Sequence, residues 1–210
     1  MAKIFRLHTS VTKQRRILMY KVIALFGESG AGKDTVLREI LVNRPMVHKI
    51  ISYTTRPPRK NEIDGIDYYF ITEKEFIKKI EKKELAEYTY FNNWYYGTGV
   101  DDLQEDRINV GVFNIQGVVS LMADSRCKVT PFRIVAPDSD RLIRSIKRDS
   151  TADCSEICRR FLADKQDFYS IPFPHIVLNN DHFYDLPFLV EHIEKVVGPL
   201  YTKDVTGSFN

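Results

Sequence analysis

The chain has 210 residues, 43% hydrophobic and 28% charged, with 10 Gly, 9 Pro and a mean hydropathy of -0.28. This composition excludes disordered and collagen-like classes, and no run approaches the about eighteen uninterrupted apolar residues of a membrane helix, so no membrane partner is expected. The net charge of +3 is 31 basic against 28 acidic residues, yet Lys3, Arg6, Lys13, Arg15 and Arg16 all fall in residues 1–20 without an acid, which leaves a nearly neutral body.

A neutral body argues against a nucleic-acid surface spread across the fold, so nucleic acid is an unexpected partner. The basic tail, residues 1–18, resembles a transit segment in composition but forms no sustained amphipathic face. It is expected to be a frayed or locally docked terminus, with Met19 a candidate start because the fold-like pattern begins at Tyr20. Cys127, Cys154 and Cys158 cannot build a disulfide framework and fit reduced thiols in the cytoplasm. The histidines show no ligand spacing, and Cys154 with Cys158 lacks partners for zinc.

Residues 20–26 (YKVIALF) form a short apolar run of the kind taken by a parallel strand buried on both faces. GESGAGKDT follows, and then residues 36–41 read as a helix and 49–53 as a strand. Pro57 and Pro58 force a turn. Residues 67–71 and 87–91 are aromatic-rich strand candidates around a charged helix at 73–83. Further apolar runs at 109–115, 131–136 and 175–178 alternate with helical patterns at 118–123, 138–147 and 155–169, and a last amphipathic helix covers 184–197. Strands alternating with helices predict an α/β protein with a mainly parallel sheet, interrupted by a strand-rich insert near 52–100.

Gly27, Gly30, Gly32 and Lys33 have the spacing G-x-x-x-x-G-K between a buried strand and a helix start. Such a loop lets backbone N–H groups of Ser29, Gly30, Ala31 and Gly32 converge on phosphate oxygens, with Lys33 reaching the β- and γ-phosphates. The next position, commonly Ser or Thr to ligate Mg²⁺, is Asp34, followed by Thr35. Arg56 and Arg59, in a Pro-stiffened loop, can fork onto a phosphate dianion, and Tyr68 and Tyr96 can add hydroxyl donors. Glu87, a carboxylate in an apolar setting, needs donors; guanine offers N1–H and its 2-amino group side by side, and Ser52 and Thr98 can donate to guanine O6.

The stretch SYTTRPPRKNEIDGIDYYFI, together with Glu87 and YYGT at residues 95–98, resembles the S-x-T-T-R-x-P-R-x-x-E-x-x-G-x-D-Y-x-F signature of the guanylate kinases. The resemblance implies a P-loop nucleoside monophosphate kinase fold: a mainly parallel sheet flanked by helices, a strand-rich acceptor-binding insert and a helical lid near 138–165, within a domain spanning 19–201 and followed by a tail from 202. It implies ATP-dependent phosphorylation of GMP or dGMP, with Mg²⁺ accompanying ATP. Ser52, Arg56, Arg59, Tyr68, Glu87, Tyr96 and Thr98 correspond to acceptor-binding positions. Lys33, Arg144, Arg148 and Arg160 correspond to catalytic cations, and Asn179 to a position near adenine. Arg159 is expected on a solvated helix face.

One segment departs from the family. The strand before the Q-G pair carries D-x-D in typical members, whereas here GVFNIQG has Val112 and Asn114 in those places. Either the chain has lost catalysis and keeps a phosphate- or phosphopeptide-binding role, or the negative charge has moved, with Asp34 as the metal-facing carboxylate. Asn114, an amide that both donates and accepts, is a candidate for altered purine preference.

Overall fold

The structure is a computed structural model describing residues 19–59, 62–148, 154–181 and 186–200. The basic tail at 1–18 and the tail from 202 lie outside the described residues. Five strands form an all-parallel sheet in the order β2 (Val47–Lys49), β7 (Ile108–Val112), β1 (Tyr20–Phe26), β8 (Cys127–Val135), β9 (Ile176–Asn179). β1 is central because its apolar residues suit burial on both faces, and all but Lys21 are buried. On one face Ile23 and Leu25 pack with Val36 and Ile40 of α1 (Lys33–Leu41) and Val190 and Ile193 of α6 (Leu186–Val197). On the other, Val22, Ala24 and Phe26 meet Val118 and Leu121 of α3 (Ile115–Ala123).

The insert is a second, four-stranded sheet in the order β4 (Tyr69–Phe70), β3 (Tyr53–Thr54), β6 (Trp94–Gly99), β5 (Leu85–Phe91). Only the β3–β4 pair is parallel. Helix α2 (Glu73–Glu81) joins β4 to β5, starts at a Thr72–Glu75 capping box and inserts the fully buried Phe76. Helices α4 (Asp138–Arg148) and α5 (Cys154–Asp167) lie between β8 and β9 in the chain.

Two differences from the predicted elements have physical causes. The strand expected at 49–53 is divided between the sheets. Ile50 N–H still reaches Val110 O at 2.8 Å, but Ile51 N–H is taken by the Asp102 carboxylate at 2.9 Å, and the chain leaves the parallel sheet there. Helix α1 starts at Lys33 rather than at residue 36, because its first turn is polar and carries no apolar period.

Candidate active site

The loop between β1 and α1 holds Gly30 at φ 78° and Gly32 at φ 95°, left-handed values that favour glycine. Space adds a second constraint: a Cβ at Gly30 would strike the Arg141 carbonyl, and one at Gly32 the Asn180 amide. No side chain caps α1, the arrangement in which a helix N-terminus receives an anion. Lys33 Nζ donates to Gly27 O at 2.8 Å and Glu28 O at 2.9 Å, which keeps the ammonium folded along the loop.

Residues distant in sequence hold this loop. Ser29 N–H donates to Asp164 Oδ2 at 2.7 Å, and Asn180 Nδ2 donates to Ala31 O at 2.8 Å. Arg141, only 3% exposed, donates to Ser29 O at 3.1 Å and pairs with Asp138 and Asp164 at 3.0 Å each. One buried guanidinium thereby ties the phosphate loop to both α4 and α5. Removing it strands Asp164 in a poorly solvated place, so Arg141→Ala is expected to destabilise the fold by about 3–5 kcal/mol, read as a lowered urea midpoint at unchanged m-value.

A cleft of about 1110 Å³ opens over the loop. Its walls carry Lys33, Arg38, Arg56, Arg59, Arg144, Arg159 and Arg160, against the carboxylates of Asp34, Glu156, Asp164 and Asp167. Carboxylates sit where phosphates could be received. Glu62 Oε1 takes Arg56 at 2.9 Å and Arg59 at 3.7 Å. Glu156 takes Arg159 at 2.6 Å and Arg160 at 2.7 Å, and hydrogen bonds from the two guanidinium groups hold its carboxyl down at about 2. Arg144 reaches Gly30 O at 3.4 Å and Asn180 O at 3.3 Å. Arg56 also lies 5.5 Å from the Tyr68 ring, which meets Tyr96 at 6.2 Å. Burial, then the nearby Asp34 charge, pushes the Tyr68 hydroxyl up to about 12, so it remains a donor at neutral pH.

A second cluster lies on the insert. Register places Glu87 of β5 opposite Thr98 of β6, and Thr98 Oγ1 donates to Glu87 Oε1 at 2.8 Å. Both are buried. Ser52 immediately precedes β3, whose Tyr53 pairs with Gly97 of β6, and the Ser52 carbonyl accepts from Tyr69 N–H at 3.0 Å. Asn114 caps α3 by accepting from Gly117 N–H at 2.7 Å and donates to Thr89 Oγ1 of β5 at 3.0 Å, which ties the start of α3 to the strand bearing Glu87. Burial pushes the Glu87 carboxyl up to about 8, opposed by the Thr98 hydrogen bonds.

Of the residues singled out from sequence, Ser29, Gly30, Gly32, Lys33, Asp34, Thr35, Arg56, Arg59, Tyr96, Arg144 and Arg160 line the one cleft. Gly27 and Ala31 lie within the loop behind it. Ser52, Tyr68, Glu87, Thr98 and Asn114 belong to the insert and its junction with α3. Arg148 ends α4, and its side chain lies outside the described residues. Asn179 is exposed at the end of β9; its neighbour Asn180 is buried and is the residue bonded to the loop. Arg159 is exposed, as expected, and it also lines the open cleft beside Arg160. Arg38, Arg141, Glu156, Asp164 and Asn180 escaped the sequence reading because single charged or amide residues on helices and strand ends carry no local signal. Glu62 did stand in the recognised signature.

The chain matches known proteins over most of its length. The guanylate kinase family model covers residues 19–196. A guanylate kinase of Thermotoga maritima is 34% identical over 166 residues, covering 77% of this chain and 80% of the relative. One from Synechococcus elongatus is 36% identical over 68% of this chain and 79% of the relative. A crystal structure of guanylate kinase from Anaplasma phagocytophilum superposes with a TM-score of 0.61 at 23% identity, over 85% of each chain, and supports the fold. With the family model spanning most of the chain and relatives above 30% identity covering more than two thirds of it, the chain belongs to the guanylate kinase family.

Proposed function

We propose that the protein transfers the γ-phosphoryl group of ATP to GMP or dGMP, giving ADP and GDP or dGDP. The observation that carries this reading is the single cleft in which the phosphate loop with Lys33 faces the same space as Arg56, Arg59 and Tyr96. A donor on the loop and an acceptor phosphate on the arginines would then meet with the reacting atoms in one enclosure. An acceptor phosphate oxygen attacks the γ-phosphorus, the bond to the β–γ bridging oxygen breaks, and ADP leaves. No covalent intermediate is required, so the protein contributes position and charge neutralisation.

Lys33, Arg144 and Arg160, with Arg148 by resemblance, would offset charge on the transferring group, each released from its internal acceptor as phosphate arrives. The loop from Gly27 to Thr35 would cradle ATP, with Asn179 or Asn180 near its base. Arg56, Arg59, Tyr68 and Tyr96 would hold the acceptor phosphate. Glu87, Ser52, Thr98 and Asn114 would read guanine, with Glu87 accepting from N1–H and the 2-amino group. Adenine presents an acceptor at N1 and no 2-amino group, so it leaves that carboxylate unsatisfied.

Asp34 suits Mg²⁺ brought in with ATP: it is an exposed oxygen donor on the cleft wall in the first turn of α1. Among the described residues no group of three or more His, Cys, Asp or Glu stands ready to cage a metal, which fits an ion sharing its shell with phosphates and water. Asp34 would hold the ion directly or through water, and the ion supplies neutralisation of the β- and γ-phosphate oxygens. Asp34→Asn is expected to raise the Mg²⁺ concentration for half-maximal turnover about tenfold. A Mg²⁺ titration indistinguishable from wild type would remove Asp34 from this role. Among the described residues no helix is long and apolar enough to cross a membrane, and a cytoplasmic enzyme of purine nucleotide metabolism is the setting proposed.

The deciding assay is ADP release with GMP, dGMP, AMP, IMP and dTMP compared side by side. GMP and dGMP are expected to be preferred, and faster transfer to AMP would overturn the reading.

A further inference from the structure

The tip of the β5–β6 hairpin has no part in the binding scheme above, yet it reaches the phosphate cleft. Phe91 and Trp94 form the last pair of the hairpin, and Asn92 and Asn93 turn the chain at φ 49° and 67°. Positive φ at both central residues is the signature of a tight type I′ turn, whose twist matches the strands it joins. Below the tip the arm is well packed. Phe76 stacks on Tyr95 at 5.1 Å, Tyr90 meets Tyr95 edge-on at 4.8 Å, and Thr89 is held by Asn114.

Tyr90 is itself 62% exposed and lies outside the cleft lining, whereas the two aromatics at the tip stand on the cleft wall. Phe91 is 40% exposed and Trp94, the sole tryptophan of the chain, 37% exposed. Both rings line the same cleft as Lys33 of the phosphate loop and Arg159, Arg160 and Ala163 of α5. The rest of that lining is dominated by charged and polar groups, which attract water. Water competes with the acceptor: its oxygen can attack the γ-phosphorus, breaking the same bond and releasing ADP and inorganic phosphate in place of GDP. Apolar rings at the mouth oppose this, because their burial against bound nucleotide is favourable and they bring no donor or acceptor of their own beyond the indole N–H.

We propose that Phe91 and Trp94 are the water-excluding rim of the cleft, positioning residues that couple ATP consumption to transfer. The proposal rests on the kinase reading above. The measurement is inorganic phosphate released per GDP formed, with saturating ATP and GMP. Trp94→Ala and Phe91→Ala are expected to raise this ratio about tenfold, while Trp94→Phe keeps it near the wild-type value. Tyr90→Ala, on the same hairpin but away from the cleft lining, is the control and leaves the ratio unchanged.

Trp94 emission supplies a second readout on the unaltered protein. It is expected to shift to the blue when a non-hydrolysable ATP analogue and GMP are added together. An unchanged ratio in both alanine variants, or emission that ignores the paired nucleotides, overturns the rim. Failure of the kinase reading is separate and visible: wild type would form no GDP, whatever the emission does.

Discussion

Lys33→Ala lowers the turnover of GMP-dependent ADP formation about a hundred- to a thousandfold, in the range expected when one pre-organised stabilising donor is removed from a transition state. Before any ligand arrives the Gly27 and Glu28 carbonyls hold the ammonium along the loop at 2.8 and 2.9 Å, from where it swings to the incoming phosphate. Negative charge builds on the β–γ bridging oxygen as its bond to phosphorus breaks, so an ammonium near it matters more at the transition state than in bound ATP and the loss falls on kcat more than on KM. Thermal stability is expected to change little, because the side chain is only half-buried. Coupled ADP release and a thermal melt check both halves. Wild-type turnover in the variant would take Lys33 out of the chemistry.

Glu87→Gln has the second large effect, and it works in opposite directions on function and stability. Guanine needs an ionised acceptor, yet in the free protein burial holds this carboxyl up at about 8. GMP binding must then expel a proton, so the KM for GMP is expected to fall as pH rises toward 8, by up to about tenfold per unit, and to level off above it. Isothermal titration in buffers of different ionisation enthalpy reads the released proton directly. Gln at this position cannot ionise: GMP transfer drops at least about a hundredfold, and the pH dependence from this group disappears.

For stability the sign reverses. The folded state binds the proton more tightly than the unfolded chain, whose carboxyl titrates near 4.5, so the free protein loses stability as pH rises from there toward 8 and is level beyond. Glu87→Gln removes that slope and keeps an oxygen for the Thr98 hydroxyl. Above pH 8 it is expected to be more stable than wild type by on the order of a few kcal/mol. Equal urea midpoints for the two proteins from pH 6 to pH 9 would show that Glu87 is ionised without cost.

The phosphate loop was legible because its chemistry is local. A buried apolar strand, glycines at fixed offsets and a lysine are all read from one short segment, and Lys33 stands on the cleft wall. The acceptor signature was legible for the same reason, since Arg56, Arg59 and Glu62 lie within one loop and pair there. Strand β6 was not read as a strand, because WYYGTG carries two glycines and its motif overshadowed its alternation. The division of 49–53 between two sheets was also hidden, since it depends on Asp102 capturing the Ile51 N–H from fifty-one positions away.

Sequence alone therefore determined the α/β class, the glycine-rich loop with its lysine, the guanylate kinase signature and the neutral body behind a basic tail, the motifs among them resting on residues close together in the chain. Folding settled how those pieces meet. Arg141 and Asp164 come from α4 and α5 to grip Ser29, Asn180 comes from the end of β9 to Ala31, and the aromatic tip of the β5–β6 hairpin reaches the same cleft. Each such contact joins positions separated by long stretches of chain, and its energy depends on burial and pairing that exist only once the two sheets and the helices have closed around it.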